Sequence, residues 1–153
     1  MKNQTSKELA VAALRNGTVI DHLASESLFK AVKILGLEKL TSAVTIGFNL
    51  DSAKLGKKGI IKVADVEFPE ELINRIAIIA PNAVVNIIRD YEVVEKRNVV
   101  VPDTIKGLVK CSNHKCITNN EPMATIFTVA NDGDELTCHY CGRSIHRDDA
   151  TIL

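Results

Sequence analysis

The sequence has little with which to stack on bases and no surplus charge with which to hold a polyanion. Six of its 153 residues are aromatic, none of them tryptophan, and 19 basic side chains are balanced by 19 acidic ones. The balance holds on both sides of Pro102, with 14 basic and 12 acidic residues before it and 5 and 7 after it. A protein that coats nucleic acid or an anionic membrane needs a basic stripe or a row of aromatics, so neither partner is expected.

Also missing is any apolar run of membrane-spanning length. The N-terminal run from Leu9 to Leu14 is short, is bounded by Glu8 and Arg15, and lacks a cleavage-type ending, unlike a secretory leader. The expectation is a cytoplasmic protein, where thiols stay reduced and paired cysteines point to metal rather than disulfides. No cysteine occurs before residue 111. That asymmetry predicts two domains, 1–102 and 103–153, divided within "EKRNVVVPDTIKG", where Pro102 and a charged flank interrupt the pattern.

What is present in the first part alternates between strand and helix periods. "GTVIDHL" reads as a strand. Ser25 then caps a helix on which Leu28, Phe29, Val32 and Leu35 recur at helical spacing, with Gly36 as its stop. "VTIGFNL" sets Val44, Ile46, Phe48 and Leu50 against Thr45, Gly47 and Asn49, the mark of a strand with one buried face. "GKKG" makes a basic turn into a third strand, "IIKVADV". Pro69, Glu70 and Glu71 open a second helix lined by Leu72, Ile73, Ile76 and Ala80 and closed by Pro81. "AVVNII" and "YEVVE" form a hairpin around Arg89 and Asp90. The order predicts an α+β chain: a ferredoxin-like βαββαβ sheet domain with two helices on one face, followed by a small all-β metal domain. Such a sheet leaves an edge or face to be covered, so self-association is expected.

The second part reads Cys111-x4-Cys116, 21 residues, then Cys138-x2-Cys141. Two short-spaced pairs each grip an ion from a tight turn and together make a tetrahedral four-thiolate site. Structural zinc is the first reading, with an iron–sulfur site or redox chemistry as alternatives. A thioredoxin-like motif would open a helix, whereas Gly142 follows Cys141; a zinc deaminase would need a His-x-Glu and a proline where Thr137 stands. Residues 103–153 are few for a self-sufficient core, and metal binding supplies stability in such small units. A closed shell leaves no open coordination position, so this metal is not expected to be catalytic. His114, His139 and His146 are then surface or outer-shell residues.

Within the first strand, Asp21 and His22 pose a choice between acid/base couple, metal-ligand pair, ligand-reading pair, and two groups satisfying one another at a strand end. An enzyme would need a third group and an oxyanion or metal site beside them, and none is visible.

Taken together, "GTVIDHL", "TIGFNL", "GKKGIIK", "APNAVVNIIRDYEVVEK" and the Cys-x4-Cys…Cys-x2-Cys tail resemble the regulatory chain of aspartate carbamoyltransferase, from about Leu9 to about His146 and in that family's order. The resemblance implies a non-catalytic allosteric subunit of pyrimidine biosynthesis. It implies a nucleoside triphosphate effector bound by the first domain, a CTP-like inhibitor and an ATP-like activator competing for one pocket, and a structural Zn2+, one per chain, in a domain that docks on the catalytic chain. It further implies regulatory homodimers within an assembly of two catalytic trimers and three regulatory dimers.

Carried over to this sequence, the nucleotide site comprises Val11, Ala13, Leu14, Val19, Asp21, His22, Lys62, Asn86, Ile88, Tyr91, Val93 and Lys96. Lys96 and Lys62, with His22, suit a triphosphate; Asp21, Lys62 and Asn86 suit ribose hydroxyls. Main-chain carbonyls around Leu14 and Tyr91 suit a base amino group, and Val11, Val19, Ile88 and Val93 its ring. Lys54 and Lys57 are expected in a solvated turn, with Lys58 a secondary phosphate contact. Asn113 and Arg143 match partner-contacting positions. Ala12 and Lys115 depart from the family pattern, and the last seven residues, "RDDATIL", match it poorly.

Overall fold

The computed structural model describes residues 13–153. Its first sheet has five antiparallel strands: β1 (Gly17–Ala24), β2 (Val44–Ser52), β3 (Gly56–Ala64), β4 (Val84–Arg89) and β5 (Glu92–Asn98), in the order β2-β3-β1-β4-β5. Helices α1 (Leu28–Leu35) and α2 (Glu70–Arg75) make the two crossovers. This is the split βαβ order, extended at one edge by β5.

The pleat explains the core. Thr18 and Ile20 of β1 stand opposite Val63 and Ile61 of β3 and opposite Ile87 and Val85 of β4. All six are buried and, apart from Thr18, join Leu28, Ala31 and Leu35 of α1 and Ile73 of α2 in one apolar cluster. Thr18 meets the rule for buried hydroxyls by donating to the Val66 carbonyl at 2.6 Å. Since alternate residues face opposite ways, the neighbours of these six lie on the sheet's helix-free face.

Several local expectations need correction. Ser25 caps no helix: it opens a 3-10 turn, Ser25–Ser27, and α1 begins at Leu28 without a side-chain cap. Phe29 is 60% exposed rather than in the core. Strand β2 has no buried face, because it is an edge strand and bulges between Gly47 and Leu50, with Asn49 at a φ of 59°. "GKKG" is no turn; it is the start of β3, and the turn lies at residues 53–55. Helix α2 is six residues long and passes at Ile76 into a 3-10 turn, Ile76–Ile78. Other signals held. Gly36 ends α1 in the left-handed conformation, φ 64°. The hairpin forms as well, but it turns one residue later than expected: Arg89 ends β4, and Asp90 and Tyr91 both have positive φ, the two-residue geometry that matches strand twist.

Beyond residue 100 the chain is built of short strands. β6 (Thr104–Lys106), β8 (Ile126–Ala130), β9 (Glu135–Cys138) and β10 (Ser144–His146) make a sheet ordered β10-β9-β8-β6, and β7 (Val109–Lys110) pairs with β11 (Thr151–Ile152). The last residues therefore have a defined place: Ile152 is buried and the Leu153 amide donates to the Leu108 carbonyl. A second apolar cluster forms around Phe127, Leu136 and Val109 and takes in Ile78 from the first part of the chain. Ile34, Ile79 and Val101 pack against both clusters. Lys33 of α1 donates to the Ile152 carbonyl at 2.8 Å, and Arg75 of α2 to the Lys106 carbonyl at 3.1 Å. No helix is long and apolar enough to cross a membrane among the described residues.

Candidate metal centre and ligand face

The four cysteine sulfurs all lie within 4.8 Å of one another. Cys111 and Cys141 Sγ are 3.6 Å apart, and Cys116 and Cys138 Sγ 3.8 Å. A tetrahedral ion with metal–sulfur bonds of about 2.3 Å sets its ligands about 3.8 Å apart, so the quartet fits a single thiolate-bound ion. Among the described residues no histidine joins this cluster. His139 packs edge-on against Tyr140, and His146 Nδ1 accepts from the Asp148 amide.

Local hydrogen bonds shape the two turns. In the first, the Cys116 amide donates to the Asn113 carbonyl, and Asn113 Oδ1 accepts from the Lys115 amide. Two side chains that sequence reading passed over hold this loop from below. Asn119 Nδ2 donates to the carbonyls of Cys111 and Asn113 at 2.9 and 2.7 Å, and Asn120 Nδ2 to those of His114 and Cys116 at 3.1 and 2.9 Å. In the second, Gly142 takes a φ of 78° and its amide donates to the Cys138 carbonyl.

The thiols differ in acidity. Burial pushes Cys111 up to about 12. The main chain at Arg143 and the side chain of Asn113 bring Cys141 down to about 6. A hydrogen bond from Thr118, whose hydroxyl is 3.2 Å from Cys116 Sγ, lowers Cys116. Four sulfurs this close repel one another when ionised, and a bound cation offsets that repulsion.

The helix-free face of the larger sheet carries the second set of predicted residues. Thr45, Lys62, Val19, Asn86 and Lys96 stand directly opposite one another on β2, β3, β1, β4 and β5, forming one row across the sheet. Four of these five were predicted. Thr45 was not, although its place on the polar side of β2's alternation could have flagged it. The adjacent row contains Gly17, Ile88 and Val93. Ile88 is buried, while Val93 and Tyr91 are 56% and 67% exposed. The Tyr91 amide donates to the Arg15 carbonyl and the Asp90 amide to Asn16 Oδ1, which ties the segment after Leu14 to the hairpin tip. Ala13 is exposed and Leu14 half-buried. Val11 and Ala12 lie outside the described residues.

Asp21 and His22 fall on a bulge: Ile20 faces Ile61, but the next register pair is Leu23 with Gly59. His22 has a φ of 61° there. Its Nδ1 is 3.4 Å from Asp21 Oδ1 and makes no hydrogen bond, so the pair lacks the base–orienter contact of an acid/base couple. Oδ1 instead accepts from the His22 amide at 2.7 Å and from Lys58 Nζ at 2.8 Å. Burial pushes the Asp21 carboxyl up, but the Lys58 ammonium and the His22 amide outweigh it and hold the carboxyl below its ordinary value of 3.8. Lys57 pairs with Asp51 at 2.6 Å in the open.

Known proteins of the same pattern are similar along the whole chain. A family model described as the aspartate carbamoyltransferase regulatory chain, allosteric domain, matches residues 9–100, and one for its metal binding domain matches residues 103–151. The regulatory chain of Bacteroides fragilis is 59% identical over 152 residues, 99% of each chain, and that of Bacteroides thetaiotaomicron 57% over the same share. That of Pyrococcus abyssi is 47% identical over 145 residues, 93% of this chain and 95% of its own.

Proposed function

Because the chain belongs to the family of aspartate carbamoyltransferase regulatory chains, with an allosteric and a metal-binding part and no catalytic role of its own, we infer that it senses nucleoside triphosphates and passes the signal to a catalytic chain. The effector lies on the helix-free face of domain 1–102, against Ala13, Leu14, Val19, Asp21, His22, Lys62, Asn86, Ile88, Tyr91, Val93 and Lys96, and Val11, outside the described residues, is a further contact that the family resemblance implies. The observation that carries this reading is the cross-sheet row in which Lys62, Val19, Asn86 and Lys96 stand side by side. Lysines as point charges take phosphates, the Asn86 amide takes a ribose hydroxyl, and the apolar residues take a ring.

Domain 103–153 holds one Zn2+ through Cys111, Cys116, Cys138 and Cys141. Four soft thiolates at tetrahedral spacing favour zinc, which here supplies a fold-locking cross-link. The knuckles it draws together present Asn113 and Arg143 to the catalytic chain. Strand β2 supplies an edge for a second copy of this chain: among the described residues it is unpaired on its outer side, and it exposes Ile46 and Phe48, with Phe29 packed against Phe48 at a ring distance of 5.2 Å. Such dimers join two catalytic trimers in sets of three, in the cytoplasm, at the entry to pyrimidine synthesis.

Regulation follows from linkage. A CTP-like inhibitor and an ATP-like activator compete for one face, and each shifts activity only by its difference in affinity for two quaternary states, typically about 1–3 kcal/mol. Ile78, Lys33 and Arg75 offer the path, since they join the helices under that face to the zinc unit. Calorimetric titration of the isolated chain with cytidine and adenosine triphosphates tests the reading. Saturable binding of both, each displacing the other, is expected; no saturable binding by either rejects it.

A further inference from the structure

The two turns that carry the cysteines differ in length and in what holds them. Cys138 and Cys141 are separated by two residues, and main-chain bonds close their turn: the Cys138 amide donates to the Arg143 carbonyl, and the Gly142 amide to the Cys138 carbonyl. Cys111 and Cys116 are separated by four residues. A longer span has more conformations to lose when both of its ends are fixed on one ion, so left to itself it is the poorer chelate.

The chain removes that disadvantage locally. Directly after Cys116 it enters a 3-10 turn, Ile117–Asn119, which carries it back beneath the loop. Asn119 Nδ2 then reaches the carbonyls of Cys111 and Asn113, and Asn120 Nδ2 those of His114 and Cys116. An amide nitrogen has two N–H donors, and each asparagine places both. The carbonyls of both ligand residues, and of two residues between them, are thus tied to adjacent side chains. Among the described residues no side chain braces a carbonyl of residues 138–141 in this way. Cys141 is also the exposed member of the quartet, while the other three are buried.

We propose that Asn119 and Asn120 are positioning residues of the metal centre: they hold the Cys111–Cys116 turn in its ligating shape, so that this turn retains the ion and metal exchange begins at the Cys138–Cys141 turn. The inference rests on the reading that the four cysteines hold one zinc ion. Each asparagine acts through main-chain carbonyls of the loop, whereas Thr118, with its hydroxyl 3.2 Å from Cys116 Sγ, acts on a sulfur directly.

The experiment loads the full chain with Zn2+, measures its metal content, and draws the ion off with an excess of chromogenic chelator. In parallel, limiting N-ethylmaleimide followed by peptide mass spectrometry records which cysteines are modified first. The natural chain is expected to be modified first at Cys138 and Cys141. Asn119→Leu, close to asparagine in size but without donors, releases zinc about tenfold faster, the scale on which outer-shell partners act, and moves early modification to Cys111 and Cys116. Asn120→Ala, at an exposed position, shifts both readouts the same way and decides the matter if Asn119→Leu does not fold. Ile105→Ala separates positioning from general stability: Ile105 is buried in the same cluster but outside the loop, so its truncation speeds release without changing the order of modification. Release from both asparagine variants at the natural rate overturns the proposal. Faster release with the order of modification unchanged overturns it too, since that marks a stability effect only. First modification of the natural chain at Cys111 or Cys116 does the same. A natural chain that holds no zinc defeats the metal reading itself, and the proposal falls with it.

Discussion

Lys96 ends the cross-sheet row on β5 and is exposed, so its ammonium reaches outward into solvent. Replacing it with alanine is expected to weaken cytidine triphosphate by about tenfold, the scale of one charge-assisted contact, while cytidine affinity changes little; parallel isothermal titrations measure both, and equal losses contradict the assignment. Asp21 supplies a pH test. Its carboxyl is held below 3.8 in the folded chain, so the stability it contributes is fully present above that value and is lost as pH falls through the folded value. The gap in unfolding free energy between the natural chain and Asp21→Asn, on the order of 1 kcal/mol for a part-buried pair, should be flat from pH 7 to about 5 and shrink below about 4. A gap that grows on acidification contradicts the sign. At this scale the cysteines were legible because their spacing alone encodes the geometry of two turns. The bond between Asp21 and Lys58 was not, since it depends on a bulge in one strand facing a lysine 37 positions away.

Elements were readable where the signal is local. Gly36 after a helical run, Pro69 with two acids, and a two-residue turn between β-rich segments each act within a few residues, and all three appear in the structure. Misreadings cluster on β2, whose alternation is regular in sequence. Its residues stay accessible because no further strand among the described residues covers the edge and a bulge resets the alternation midway. The 3-10 turn after α2 was likewise hidden: Ile78 lies off the stripe of Leu72, Ile73, Ile76 and Ala80, and it is buried in the cluster of the following unit. Ile78→Ala should destabilise the chain by about 2–5 kcal/mol, as deletion of a fully buried aliphatic group does. If this element links the two units, the variant should also separate their unfolding transitions in calorimetry. A single transition with an unchanged midpoint contradicts both statements.

At the scale of the whole molecule, the two clusters divide the chemistry. The larger sheet offers a polar, lysine-bearing face, and the smaller unit is organised around four sulfurs with few large apolar groups of its own. The smaller unit should therefore depend on its ion. Chelation is expected to unfold it and release the chain from a catalytic partner while nucleotide affinity in the larger unit persists, as followed by sedimentation and by titration of the same sample. Assembly that survives complete metal removal contradicts the docking role. The two-part organisation was legible from the cysteine asymmetry. The interface between the parts was not, because Lys33 and Arg75 bind main-chain carbonyls, which carry no sequence identity. The most direct test of the account is the turnover rate of a catalytic chain reassembled with this chain, measured against cytidine triphosphate concentration. A saturable change in rate that disappears when this chain is omitted is predicted; a rate indifferent to nucleotide, in a complex shown to contain both chains, would contradict it.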